Sequence, residues 1–154
     1  MLDMTIALTL HALAAVIWVG GMAFAYWFVR PAAEALEPAQ RQTLWRDIFQ
    51  RFFPWVWVSA IVLIATGYYM IFAVFGGFGG SGVHVHVMHL LGWAMVLIFA
   101  HVYFAPWRRF RNAVAEGDRQ TAGANIGKIR RFVGINLILG LIVVAVGAGG
   151  RYWG

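Results

Sequence analysis

Five histidines, His11, His84, His86, His89 and His101, stand in a chain that is otherwise close to continuous hydrocarbon. Ionisable side chains are costly inside a bilayer, so those retained there mark functional sites by default. Imidazole ligates haem iron and copper, and thioether sulfur is a soft donor suited to copper(I). The run His84-Val85-His86-Val87-Met88-His89 supplies both donor types. On a helix, His86 and His89 share a face at i and i+3, and His84 and Met88 share another at i and i+4. There is no cysteine, which excludes disulfides, zinc–thiolate sites and thiol redox chemistry.

The elements that carry these residues follow from composition. The 154 residues are 62% hydrophobic and 12% charged, with mean hydropathy +0.73; soluble domains carry about 25% charged residues. Apolar segments at about 5–29, 54–75, 84–106 and 132–149 each approach the ~20 residues that span a bilayer. The fold class is therefore all-α integral membrane: a single four-transmembrane-helix domain over 1–154, with Pro54 in the first turn of its helix. Trp27, Trp55, Trp57, Trp107, Tyr152 and Trp153 fall near segment ends, as in an interfacial aromatic belt. Ala23-Phe24-Ala25 mimics a signal-peptide cleavage site. The segment before it lacks a basic start and exceeds the ~7–15 apolar residues of a signal peptide, so it reads as a retained helix.

The net charge of +6 resides in two loops. Arg30, Arg41, Arg46 and Arg51 separate the first two segments; Arg108, Arg109, Arg111, Arg119, Lys128, Arg130 and Arg131 separate the last two. Such loops face the cytoplasm and contact anionic lipid, so nucleic acid is excluded as a partner. Both termini and the uncharged loop 76–83 then face outward from a bacterial-type inner membrane. Residues 31–51 read as a short amphipathic cytoplasmic helix, with Glu34, Glu37 and Asp47 offsetting most of the arginines. The glycine-rich stretch 75–82 reads as a flexible outer loop and lacks the Lys-Ser/Thr of a phosphate loop.

This topology orders the histidines by depth. His11 lies about 9 Å below Thr5 and His89 about 8 Å below His84, at ~1.5 Å per residue, so the two are level on parallel helices. The leading expectation is a b-type haem between His11 and either His86 or His89. Gly20, Gly21, Ala12, Ala14 and Ala15 would leave room for the porphyrin, or else allow close helix packing. Electron transfer or a membrane oxidoreductase reaction would follow, with a redox partner or quinone. The alternative is copper held near the outer mouth by His84, His86, Met88 and His89 with Met1, Met4, Met70 and His11. A third reading is an assembly subunit whose histidines only pack. His101 lies about 18 Å deeper than His89. It is read as a hydrogen-bonding residue beside a cofactor, or as a second ligand completed by Met22, Tyr103 or a homodimer partner. Met4, His11, Trp18 and Met22 form one stripe of helix one, consistent with bundle core, and Asn136 reads as an interhelical hydrogen-bonding residue.

Leu10-His11-Ala12-Leu13-Ala14-Ala15-Val16-Ile17-Trp18-Val19-Gly20-Gly21 resembles the first helix of CopD-like membrane proteins and of the related HemJ-type protoporphyrinogen oxidases. Arg30-Pro31, Arg51-Phe52-Phe53, Thr66-Gly67-Tyr68, His101-Val102-Tyr103, Arg108-Arg109, Arg130-Arg131-Phe132 and Asn136 extend the resemblance along the chain. The CopD resemblance implies copper uptake or resistance. The HemJ resemblance implies b-type haem, with His11 at the first-helix histidine position and His101 in the third-helix His-x-Tyr pattern. HemJ-type proteins have a lysine early in that helix; this chain has His86, Met88 and His89 there instead. The departure weakens the implication of protoporphyrinogen oxidation, leaves that of haem binding intact and strengthens that of a His/Met metal site.

Overall fold

The computed structural model describes residues 2–152, and no strand occurs among the described residues. Four helices alternate in direction: α1 (Asp3–Ala33), α2 (Pro38–Val74), α3 (Val83–Glu116) and α4 (Arg119–Gly149). All four are long and apolar enough to cross a membrane. Contacts run chiefly between α1 and α2 and between α3 and α4, with α1 and α2 also meeting α4. The bundle therefore has a histidine end, where α1 and α3 start, and an arginine end, where they finish.

The helices outrun their apolar segments at the arginine end. With 31 to 37 residues each, they are about 46–56 Å long at ~1.5 Å per residue, against a hydrocarbon core of about 30 Å. Residues 31–51, expected as a separate amphipathic helix, are divided: 31–33 end α1, and 38–51 are helical but run without a break into the membrane part of α2. Pro54 consequently lies inside α2 rather than in its first turn. The continuation is stabilised by packing: Phe49, Phe53, Trp107, Phe110, Ala113, Ala122 and Ile129 are all buried in one core. Apolar run length reports the bilayer, whereas helix length reports this further core.

Two wide π-helical turns accompany prolines. Ala25–Val29 precedes Pro31, and Tyr103–Trp107 contains Pro106. A proline lacks the N–H and its ring collides with the carbonyl four residues back, so a loosened turn accommodates it. Only two residues connect α3 to α4. Gly117 adopts φ +74°, a left-handed value that glycine takes without penalty. Gly117 N–H bonds the Val114 carbonyl at 3.3 Å and Asp118 N–H bonds that of Ala113 at 2.9 Å, the Schellman pattern. Asp118 then caps α4, accepting from Thr121 N–H at 3.0 Å.

Glycines set the helix approaches. A Cβ on Gly21 would stand 2.4 Å from the Phe52 ring, and one on Gly140 would stand 2.9 Å from Val19. The space at Gly21, expected to help accommodate a porphyrin, is thus filled by Phe52 of α2. Trp18 and Met22 are buried and Met4 and His11 partly so, which makes the first-helix stripe part of the bundle interior. Buried Asn136 donates from Nδ2 to the Met95 carbonyl at 3.1 Å, tying α4 to α3 as expected.

Candidate metal site

His11, on the first turns of α1, faces α2. Its Nδ1 lies 2.8 Å from Thr66 Oγ1, and its ring lies beside Gly67, where an added Cβ would be in ordinary contact with Cε1 at 3.5 Å. The Thr66 hydroxyl donates its single proton to the Val62 carbonyl at 2.6 Å. With that proton so committed, Oγ1 is available to accept from His11 Nδ1–H, the tautomer that leaves the Nε2 lone pair free. Fixing the tautomer through the non-ligating nitrogen is how proteins prepare a histidine for a metal.

The outer turns of α3 divide their donors between two faces. His86 and His89 both pack on Phe78, His86 stacked at 5.9 Å and His89 edge-on at 5.1 Å. His89 also meets the Tyr68 ring at 5.3 Å, and the Tyr68 hydroxyl accepts from Trp93 Nε1 at 3.3 Å. On the second face, Met88 and His84 lie over glycines of the α4 end. A Cβ on Gly147 would be 3.0 Å from Met88 Sδ, and one on Gly150 would meet the His84 Cβ. The i, i+3 and i, i+4 pairings read from the sequence are thus present, each against its own neighbour.

Loop 75–82, expected to be flexible, is folded back on the bundle. Gly76 and Gly77 take φ +70° and +105°, Gly77 N–H bonds the Ile71 carbonyl at 2.8 Å, and Ser81 Oγ donates to the Gly77 carbonyl at 3.0 Å. Phe78 is thereby delivered onto Tyr68, Phe72, His86 and His89. Aromatic contact, invisible in a glycine-rich string, is what orders it.

His11 and the α3 histidine His89 meet different residues of α2. His11 meets Thr66 and Gly67, and His89 meets Tyr68. At about 100° per residue Thr66 and Tyr68 project about 160° apart, so the two histidines address different faces of α2. His101 is exposed, with its ring edge-on to Phe132 at 5.0 Å, and Met22 is buried in the core. Among the described residues no three His, Asp or Glu side chains form a metal-holding group. Met1 lies outside the described residues; Met70 is buried. Thr66 and Phe78 are site residues that the spacing of ligand types did not single out. Thr66 stood in the Thr66-Gly67-Tyr68 motif, but only the fold gives it a role.

The family model described as Copper resistance protein D, CopD, matches residues 46–149, well over half of the chain. The chain belongs to the CopD family. The match spans most of α2 and all of α3 and α4, so it contains Thr66, His84, His86, Met88, His89 and His101 and leaves His11 outside. No curated protein and no solved structure matches the chain significantly. Membership in this membrane family turns the balance from haem toward copper; neither the fold nor the comparison supports haem as the leading cofactor.

Proposed function

We propose that this CopD-family protein handles copper as cargo, capturing it at the histidine end of its membrane bundle. The observation that carries this reading is the pairing of His86 with His89 and of His84 with Met88 on the first turns of α3, inside the segment that matches the family. Imidazole nitrogen and thioether sulfur suit copper(I), whose filled d shell imposes little geometric demand. Two or three such donors suffice for it. Donors held in pairs favour capture and release over permanent storage. His11, with Nε2 free, is a further ligand one helix away.

Phe78 has a place in this chemistry. It lies against both His86 and His89, so those rings converge on one ion when it swings aside. Gly76 and Gly77 flank the segment that would move. By the distribution of arginines, this end faces outward.

The test is metal analysis and an absorption spectrum on one detergent-purified sample supplied with both copper(I) and haem. Bound copper without a Soret band is expected, with copper lost from His86→Ala/His89→Ala. A Soret band that shifts on reduction, with no bound copper, would overturn the proposal in favour of a b-type haem.

A further inference from the structure

The arginine end contains a cleft of about 570 Å³ where α1, α2 and α4 meet, a size within the ~300–1,000 Å³ of small-ligand sites. Three arginines from three helices line it, Arg30 of α1, Arg41 of α2 and Arg130 of α4, together with one carboxylate, Glu34. Among the described residues the only ion pair is Arg46 with Asp47, so neither Arg41 nor Arg130 is neutralised and Glu34 pairs with none of the three. Arg30 rests over the Tyr26 ring at 5.1 Å, another lining residue. The remaining wall is largely apolar and includes Trp45, Ile126 and Val133.

Unpaired guanidiniums beside an apolar wall, at the edge of a membrane bundle, complement a molecule with an anionic head and a hydrocarbon body. We propose that this cleft binds the phosphate headgroup of an anionic phospholipid, with an acyl chain leading past Ala25 and Val133 toward the bilayer. Arginine forks match phosphate oxygens in pairs, and basic pockets between membrane helices at the headgroup level are suited to such lipids. Gly127 borders the open space of the cleft: a Cβ there would meet nothing within 4 Å. Gln42 ties two of its walls together, donating from Nε2 to the Arg119 carbonyl at 3.1 Å.

Gly127→Leu should therefore fill the cleft without a clash and without altering charge. Arg41→Gln/Arg130→Gln should remove charge without altering shape. The experiment compares wild type with both variants in bilayer discs of phosphatidylcholine containing a minor fraction of phosphatidylglycerol. Native mass spectrometry then counts retained phosphatidylglycerol, and circular dichroism checks the helices. Retention should fall roughly fivefold per arginine removed, and Gly127→Leu should lower it as well. Inorganic phosphate at millimolar concentration should neither displace the lipid nor raise thermal stability. Wild-type retention by both variants overturns the site. Loss in the arginine variant with full retention in Gly127→Leu also overturns it, by assigning the effect to diffuse surface charge. Stabilisation by inorganic phosphate alone overturns the lipid assignment in favour of free phosphate.

Discussion

The arginine end of the bundle is packed like a soluble core, and the histidine end is not. Around Phe49, the rings of Trp45, Phe53, Trp107 and Phe110 lie at centroid distances of 5.0 to 6.4 Å, and Phe110 and Ile129 are 0% exposed. At the other end the buried side chains are smaller or more pliant, among them Ala7, Met70, Val85 and Val146, while His11, His84, Met88 and His89 are partly exposed and His86 is exposed. Elements that must move to bind and release a ligand come from the less stable part of a fold. The difference assigns rigidity to one end and chemistry to the other.

The largest effect that should separate the ends is on stability. Phe110→Ala removes a fully buried ring and should cost about 3–5 kcal/mol, seen as a lower thermal midpoint in detergent with copper binding intact in the folded protein. His86→Ala, on an exposed position, should change stability by no more than about 0.5 kcal/mol while weakening copper binding. Equal stability losses at the two positions would dissolve the distinction. Next is Thr66→Val, which removes the acceptor that fixes His11. If His11 ligates copper, affinity should fall about 10–100-fold with the helical signal unchanged, as read by competition with a chelator. Asn136→Leu breaks a buried bond between α4 and α3 and should cost about 0.6 kcal/mol, at most about 1.7, with no effect on metal binding.

The smallest effect concerns the α3–α4 connection at the arginine end. The Thr121 hydroxyl and N–H hold the Asp118 carboxyl below the usual carboxylate range. Its stabilising contribution is therefore complete above the ordinary carboxylate pKa and is lost as pH falls through the lowered, folded-state value. Asp118→Ala should lower the thermal midpoint slightly at neutral pH and converge with wild type in acid. A difference that persisted unchanged at low pH would remove the carboxylate from that role.

Much of this was legible before the fold was seen. Four apolar runs define four spans because a bilayer imposes a length, and the α2–α3 boundary at the histidine side follows from the glycines between 76 and 82. The arginine end was not legible in the same way. There the helices continue on mixed sequence, because Phe49, Phe53, Phe110 and Ile129 build a core whose partners are far apart in the chain. The stretch between residues 106 and 132, read as a basic loop, is instead helical on both sides of a two-residue turn at Gly117-Asp118. At the site, the spacing of His86 with His89 and of His84 with Met88 gave the shared faces correctly. Depth alone also placed His11 level with His89. Depth carries no information about azimuth around a third helix, and α2 presents Thr66 to one histidine and Tyr68 to the other.

The most direct test of copper capture at the histidine end is a copper(I) titration against a competing chelator, run in parallel on two variants. One carries His84→Ala, His86→Ala, Met88→Leu and His89→Ala; the other carries Arg41→Gln and Arg130→Gln at the opposite end. Wild type and the arginine variant should bind copper(I) alike, and the histidine-end variant should fail to compete with the chelator. Unchanged copper(I) affinity in a folded histidine-end variant would contradict the assignment.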